Sequence, residues 1–513
     1  MGFTFKPSKC RSLSLSRGKP DPHQFTLTDP SSGEKVKLRT LEDDPHKFLG
    51  CTMTYHNTPK DHLDSLKGKL SSKLENIEKL VVRAEYKVAV YARYALPSLR
   101  YHLTVHTVHK THLEELDLLA SKYLKKWLGI PPMGSTSLGI TSPLLLAIKP
   151  VSQVYLEGHL GAYLNTMLVA DPDTQEALRC AEEREGEWVH RSSTSLQCKG
   201  IVEEMKEETQ CFIPTPENTN TFQATARVEK PKILVEAKKK VSEIYRRRSA
   251  EAAARLGFQG QMLTLLEEED QDISWKSLIY RVPRGVMAWA VRAGTNTLAT
   301  PVNLARWAKQ VDTTCSMVGC TSPCNLGHLL SCCSKSLDRF MFRHDSVLTH
   351  LLENILKHKK EEVTVYADLA GWRVSGGTVP PELVLTEQVP DLVIIDRSAI
   401  PVRVVLVELT VPWDSSTTIQ AAYERKTARY ERLAEDLRLE GYESSNLPLE
   451  VGCRGVVTAR NLGVLSSLCT MVGMRSVKRL RANLGRIALL GSYRIWLARR
   501  SQDWAPGDLI RSN

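Results

Sequence analysis

The pattern of apolar positions in the last quarter of the chain predicts two neighbouring β-strands. Residues 392–395 and 402–409 are apolar runs rich in β-branched residues, and a short turn around 398–401 joins them. Short continuous apolar runs of this kind are typical of strands that are covered on both faces of a sheet. We therefore expect an antiparallel pair of buried strands in this region.

The segment that follows has the periodicity of an amphipathic helix. Ser415 and Ser416 are suitable N-caps, and Gly441 follows the last apolar positions, so we expect a helix that ends near Leu439. Its apolar stripe comprises Ile419, Ala422, Tyr423, Lys426, Tyr430, Leu433 and Leu437. Lys426 thus lies on the apolar face, where an ammonium group is costly unless an anion pairs with it. The alternative is that Lys426 extends from the edge of the stripe into solvent.

The remaining patterns divide the chain into five segments. Helical spacing predicts one helix that ends at Pro97 and another over about 111–128 that closes at Gly129. The segments are a turn-rich β region at 1–60, helices at 61–170, a linker and a charged helix at 171–270, a cysteine-bearing helical region at 271–350, and alternating strands and helices at 351–513. We expect a mixed α/β protein of several domains.

Composition excludes several classes of protein. The 513 residues are 42% hydrophobic and 25% charged, which is typical of globular chains and not of disordered ones. No apolar stretch approaches the roughly 20 residues that span a bilayer, and the start MGFTFKPSKC lacks the apolar core of a signal peptide. We expect a soluble intracellular protein that binds neither membranes nor a small-molecule substrate; its oligomeric state stays open.

The net charge of +11 is compatible with a polyanionic partner. Basic residues cluster at 238–240, at 246–248 and between Met474 and Arg486. Such runs also occur on solvated helix faces that bind nothing, and composition alone does not separate the two interpretations.

Five cysteines and one histidine lie within the segment CSMVGCTSPCNLGHLLSCC at 315–333. One consistent ligand set is three thiolates and one imidazole, which suits tetrahedral zinc: Cys315, Cys320, His328 and Cys333. Cys324 and Cys332 are alternative ligands, and a group of buried free thiols is the alternative without metal. Structural zinc is the prediction, because it would stabilise a segment too short to build its own core.

Two acidic residues stand at the ends of the predicted strands. If the turn centres near residues 399 and 400, Asp391 lies opposite Glu408, and directly opposed residues share a face about 5 Å apart. Two carboxylates there could hold one hard cation through oxygen ligands. With Lys426 directed at them, the set suits phosphodiester hydrolysis, because the cation polarises the phosphate and the ammonium stabilises developing charge. The alternative is that the two carboxylates are solvent-exposed polar residues at the strand ends and bind nothing.

These residues also carry a family resemblance. Pro390 and Asp391, followed by Glu408 and by the helix sequence YERKTARY with Lys426 and Tyr430, resemble the PD-(D/E)xK restriction-like nucleases. The resemblance implies a restriction-endonuclease-like α/β/α domain with a central mixed sheet. It implies that Asp391 and Glu408 bind magnesium, that Lys426 is the catalytic lysine and that Tyr430 supports it.

More narrowly, the chain resembles the C-terminal half of the polyprotein of non-long-terminal-repeat retrotransposons with a restriction-like endonuclease. LEVGCRG at 449–455 and a CCHC zinc motif followed by RFMFRHDSVLTH at 339–350 carry this resemblance. In this branch the lysine usually moves from the strand to the next helix, which fits Thr410 at the strand position. Val389 departs from the basic residue expected before the Pro-Asp pair.

The N-terminal region resembles the same family. FKPSKCRSLSL at 5–15 and KFLG at 47–50 resemble the last palm motifs of a reverse transcriptase, and the helices up to KKWLGIPPMG at 125–134 resemble its thumb. The chain has no Tyr-Ala-Asp-Asp-like motif, and the paired aspartates of a polymerase would precede residue 1. We therefore expect no reverse-transcriptase activity from this chain alone.

The resemblance implies a nuclear endonuclease that nicks double-stranded DNA and exposes a 3′-hydroxyl to prime reverse transcription. Its cofactors would be structural zinc and catalytic magnesium, and its partners a DNA target and the element RNA. Two alternatives stay open: a zinc-dependent module that binds nucleic acid without cutting it, and a decayed fragment without activity.

Overall fold

The computed structural model describes residues 6–17, 19–21, 23–41, 43–44, 46–48, 51–53, 59–169, 171–174, 176–177, 180, 193–208, 219–269, 271, 283 and 285–505. The chain forms two compact units that interleave along the sequence. The first comprises Met1–Leu80, Val90–Ala120 and Pro150–Ser242, and the second comprises Val81–Ala89, Ser121–Lys149 and Glu243–Asn513. The mixture of helices and sheets confirms the predicted mixed α/β class, while the restriction-endonuclease-like α/β/α domain and the five predicted segments stay predictions.

The described part of the N-terminal region consists of a 3-10 helical turn (Pro7–Lys9) and short strands between turns. The strands are β1 (Arg11–Ser12), β2 (Leu15–Ser16), β3 (Lys19–Pro20), β4 (Thr26–Thr28), β5 (Lys35–Lys37), β6 (Arg39–Thr40), β7 (His46–Phe48) and β8 (Cys51–Met53). β1 pairs with β6 in parallel, and β2 with β3, β4 with β5 and β7 with β8 are antiparallel pairs. Phe5, Leu49 and Gly50, which belong to the palm-like motifs, lie outside the described residues.

Helices follow from residue 59 onward. They are α1 (Pro59–Glu78), α2 (Ala84–Val90), a π-helical turn (Tyr91–Ala95), α3 (Leu96–Ser98), α4 (Arg100–Val105), α5 (Lys110–Leu128), α6 (Thr136–Gly139), α7 (Val151–Met167), α8 (Ser193–Glu208), α9 (Thr219–Arg255), α10 (Gly257–Glu268), α11 (Val286–Gly294) and α12 (Pro301–Arg306). In the described part of the chain, no helix is long and apolar enough to cross a bilayer. Of the predicted linker, residues 181–192 and 209–218 lie outside the described residues.

Two helix predictions have different outcomes. The helix predicted at about 111–128 is confirmed as α5, and Gly129 follows it with a φ of 63°, a conformation that favours glycine. The helix expected to end at Pro97 is wrong as one element, because residues 79–83 are not helical. The β-branched pair Val81 and Val82 lies in this break, and such residues lose side-chain freedom in a helix. Pro97 itself lies in α3, directly after the π-helical turn Tyr91–Ala95, and the helical residues continue past it, so the predicted end at Pro97 is also wrong.

The C-terminal part of the second unit contains a four-stranded mixed sheet. Its elements are α13 (Leu337–His358), β9 (Val363–Ala367), β10 (Leu392–Asp396), β11 (Arg403–Thr410), α14 (Ser416–Leu439), β12 (Glu443–Glu450), α15 (Ala459–Val472) and α16 (Val477–Leu497). The strand order is β12-β11-β10-β9; β9, β10 and β11 are antiparallel neighbours, and β12 runs parallel to β11. The predicted antiparallel pair and its helix are therefore confirmed.

Helices cover both faces of this sheet because alternate strand residues enter different cores. On one face, Ile394 and Val405 join a core with apolar residues of α13, α15 and α16. On the other face, Val393 and Leu406 pack with the apolar stripe of α14. Such a sheet holds the backbone of β10 and β11 rigidly, and the candidate site lies at one end of these two strands.

Candidate functional site

Asp391 and Glu408 lie beside each other at one end of β10 and β11. The strands pair Leu392 with Val407, so Asp391 and Glu408 are the next two residues in that register. The Asp391 N–H donates a hydrogen bond to Glu408 Oε2 at 3.1 Å, and the Leu409 N–H donates to Asp391 Oδ2 at 2.8 Å. Asp391 is 8% exposed and Glu408 is 2% exposed, so neither carboxylate simply marks a strand end in water.

α14 brings Lys426 to this carboxylate pair. Ser415 caps the helix, since its hydroxyl accepts a hydrogen bond from the Thr418 N–H at 3.3 Å. Three turns later, the Lys426 ammonium donates a hydrogen bond to Glu408 Oε1. The Lys426 side chain is 14% exposed, so it points at the carboxylate and not into solvent. Arg429 contributes a longer contact, 3.9 Å from Nη1 to Glu408 Oε1, from an exposed position.

Burial determines the electrostatics of the pair. Burial and the neighbouring Asp391 raise the pKa of Glu408, and Lys426 opposes that shift. The desolvated carboxylate is therefore stabilised mainly by the ammonium beside it. Tyr430, on the same helix as Lys426, is buried, and its hydroxyl donates a hydrogen bond to the Val389 carbonyl at 2.9 Å. This bond fixes the backbone two residues before Asp391.

Sequence reasoning missed His344 of α13, which contacts the same aspartate. Its Nε2 lies 3.2 Å from Asp391 Oδ2 and 3.3 Å from the Leu409 carbonyl, and its Nδ1 lies 3.0 Å from Asp345 Oδ1. Burial lowers the pKa of His344, but the hydrogen bonds to Asp345 and Asp391 outweigh it and raise the pKa to about 10. The adjacent His-Asp pair on an amphipathic helix was the signal that could have indicated this residue.

The Cys/His cluster forms a second candidate site in the same unit. The ligand atoms of Cys315, Cys320, His328 and Cys333 all lie within 4.8 Å of one another. The separations are 3.9 Å between the sulfurs of Cys315 and Cys333, 4.0 Å between those of Cys320 and Cys333, and 3.4 Å from Cys320 Sγ to His328 Nε2. A tetrahedral site with metal–sulfur bonds of about 2.3 Å requires sulfur–sulfur distances of roughly 3.8 Å. The donor set and spacing therefore fit zinc.

Local backbone structure brings these four ligands together. Gly319, with a φ of 75°, turns the chain before Cys320, a position that favours glycine. The Asn325 side chain accepts a hydrogen bond from the His328 N–H at 2.8 Å and so fixes the start of the π-helical turn His328–Cys332. Cys332 is exposed on this turn and Cys324 is buried, and neither joins the described ligand group. The structure thus favours the predicted set among the alternatives.

The pKa shifts of the thiols in the cluster agree with a metal site. Burial raises the pKa of Cys315 to about 12, whereas a backbone hydrogen bond from Ser322 lowers the pKa of Cys320. Buried thiols this close to one another form thiolates together only if a cation compensates their charge. Among the residues the structure describes, this is the one group of three or more Cys, His, Asp or Glu ligands that is already assembled.

A buried ion pair fixes the loop after β11. Arg454 and Asp414 are both fully buried, with Arg454 Nε donating to Asp414 Oδ2 at 3.2 Å and the Arg454 N–H donating to the same oxygen at 2.8 Å. The guanidinium also stacks on Trp413, 3.8 Å from the ring centroid. The loop leads into α14, so this pair helps to set where Lys426 lies.

Comparison with known proteins found no protein-family model that matches the chain and no match among curated proteins.

Proposed function

We propose that the chain is a metal-dependent endonuclease of the PD-(D/E)xK type that nicks double-stranded DNA. The observation that carries this proposal is the buried pair of carboxylates, Asp391 and Glu408, with the ammonium of Lys426 hydrogen-bonded to one of them. Isolated buried acids are costly, and two of them next to each other cost more unless cations compensate the charge. The resemblance of this region to restriction-like nucleases supports the same interpretation.

Each residue has a part in such a reaction. Asp391 and Glu408 supply carboxylate oxygens, and magnesium commonly takes only one or two carboxylates from a protein, with water and phosphate completing its shell. When bound, the cation supplies positive charge that polarises the scissile phosphodiester. Lys426 holds Glu408 and offers hydrogen-bond donors to developing negative charge. Tyr430 holds the backbone before Asp391 through its bond to Val389.

The wider proposal is that this activity belongs to a retrotransposon protein. A nick with a free 3′-hydroxyl would prime reverse transcription of the element RNA in the nucleus. Zinc held by the CCHC motif would stabilise the short segment before α13. The resemblance of residues 1–150 to the end of a reverse-transcriptase palm and to a thumb supports this setting.

The test is plasmid nicking by the purified full-length chain with magnesium or manganese. We expect Asp391→Asn to reduce nicking at least about 100-fold, the size of effect seen when one group that stabilises transition-state charge is lost. Asp396→Asn is the matched control, because Asp396 is a buried carboxylate at the other end of β10 whose oxygen accepts from Ser398. Equal nicking by wild type and Asp391→Asn would refute the proposal.

A second candidate function is nucleic-acid binding without cleavage. It is favoured by three exposed basic residues, Arg475 just before α16 and Lys478 and Arg479 in its first turn, which could bind phosphates. This function predicts retention of DNA that weakens steeply with added salt and that survives Asp391→Asn. Binding without nicking by the wild-type chain would favour it.

A further inference from the structure

His344 of α13 contacts one carboxylate of the proposed cation site, Asp391, whereas Lys426 of α14 contacts the other, Glu408. Its Nε2 lies 3.2 Å from Asp391 Oδ2 and 3.3 Å from the Leu409 carbonyl oxygen. A carbonyl oxygen can only accept, so Nε2 is a nitrogen that carries hydrogen. The imidazole therefore donates to the carboxylate of Asp391.

The hydrogen bonds to Asp391 constrain how its carboxylate is oriented. Among the described residues, both donors that reach the carboxylate, the Leu409 N–H and the His344 ring, bind Oδ2. A carboxylate held at one oxygen keeps the lone pairs of the other oxygen for a cation. On the other side of the ring, His344 Nδ1 lies 3.0 Å from Asp345 Oδ1. This second hydrogen bond limits rotation of the imidazole ring.

The helix turn that carries His344 is itself anchored. Arg343 is 1% exposed, and its guanidinium donates to the Leu330 carbonyl at 2.7 Å and to the Val411 carbonyl at 3.1 Å. Val411 directly follows β11, the strand of Glu408. Gly491 leaves room for this arginine, since a Cβ there would lie 2.6 Å from Arg343 Cγ. The imidazole thus has a fixed position relative to both carboxylates.

We propose that His344, held by Asp345, is a positioning residue that orients Asp391 for binding a divalent cation. The inference rests on the proposed function and adds a third side chain to the site. Preorganised ligands bind more tightly because less orientational freedom is lost on binding, and partners of ligating groups commonly change metal affinity by 10–100-fold.

The experiment measures binding of Mn²⁺ to the full-length, zinc-loaded chain by the loss of the free-ion electron paramagnetic resonance signal. Binding is taken as the difference from Asp391→Asn, which removes the proposed ligand. The variants are His344→Ala, His344→Gln and the matched control His358→Ala, an exposed histidine on the same helix. Thermal melting and plasmid nicking are recorded on the same samples.

We expect His344→Ala to weaken Mn²⁺ binding about tenfold without a matching loss of thermal stability. His344→Gln should recover most of the affinity, because its amide keeps one N–H donor, and His358→Ala should match wild type. Equal Mn²⁺ affinity of the wild-type chain and His344→Ala would refute this inference and leave the proposed function standing. Wild-type protein with no Asp391-dependent Mn²⁺ binding refutes the proposed function and, with it, the inference.

Discussion

Replacing Lys426 by methionine tests whether the ammonium compensates the buried carboxylates. Methionine keeps the length and helix propensity of the side chain but removes its charge. Among the described residues, Glu408, 2% exposed, would then keep only the longer cation contact to Arg429, 3.9 Å away on a side chain that is 60% exposed. The His344 imidazole contacts the neighbouring Asp391, and no hydrogen bond joins it to Glu408 in the described part of the chain. Solvent screens so exposed a charge, so Arg429 replaces little of the lost interaction.

The structure limits the size of the effect. Removing one partner from a buried ion pair typically costs about 3–5 kcal/mol. Glu408 can escape part of this cost by taking up a proton, which at pH 7 costs about 3.4 kcal/mol for a carboxyl with the ordinary value of 4.5. Burial and Asp391 raise the pKa of Glu408, so the proton costs less than that. We expect Lys426→Met to destabilise the second unit by about 1–3 kcal/mol at pH 7.

The pH dependence distinguishes this explanation from a simple packing defect. A carboxyl whose folded pKa is raised costs stability above its unfolded pKa, and loss of Lys426 raises the folded pKa of Glu408 further. The difference between wild type and Lys426→Met should therefore be largest at pH 8 and shrink toward pH 5. Thermal melting followed by circular dichroism measures it, with Glu408→Gln/Lys426→Met as the control that restores stability. Equal destabilisation at both pH values would refute the reasoning.

Three further predictions concern metal binding and stability. Cys320→Ser should reduce the zinc content from about one ion per chain to near zero by atomic emission, whereas the exposed Cys332→Ser should retain it; the same loss in both would reject the proposed ligands. The Glu450 carboxylate is buried, and burial raises the pKa of Glu450 more than the neighbouring Arg460 and Asn461 lower it, so folding favours its protonated form. The contribution of Glu450 to stability should therefore fall as pH rises above 4.5, the ordinary value of its pKa, and the melting advantage of Glu450→Gln should grow from pH 4.5 to pH 8; a constant difference would contradict this. Arg454→Met leaves Asp414 buried without its partner and should cost about 3–5 kcal/mol in urea unfolding, while an unchanged midpoint would show that the pair contributes nothing.

Local patterns were sufficient to predict the centre of the candidate site. The apolar runs predicted β10 and β11, and the turn between them set the register that brings Asp391 beside Glu408. The position of Lys426 on the apolar stripe of α14 predicted a buried partner, and the structure places it on Glu408. These predictions succeed because strand and helix periodicity are short-range properties of the sequence.

Contacts between residues far apart in the chain could not be predicted from the sequence. His344 lies 47 residues before Asp391 and Arg343 lies 68 residues before Val411, and helical periodicity alone gives no reason to pair these residues. The choice among five cysteines likewise depended on the folded loop, because Cys324 and Cys332 have spacings as suitable as those of the assembled ligands.

The most direct measurement of the central claim is the chemistry of the DNA ends that the protein produces. Supercoiled plasmid is incubated with the full-length chain and magnesium, and a DNA polymerase with labelled nucleotides then reports extendable 3′-hydroxyl ends. We predict label incorporation that requires magnesium and is lost in Glu408→Gln, whose folding is checked by circular dichroism. Label incorporation that is unaffected by Glu408→Gln, or plasmid that stays intact with the wild-type chain, would contradict the claim that Asp391 and Glu408 form the active site of a DNA endonuclease.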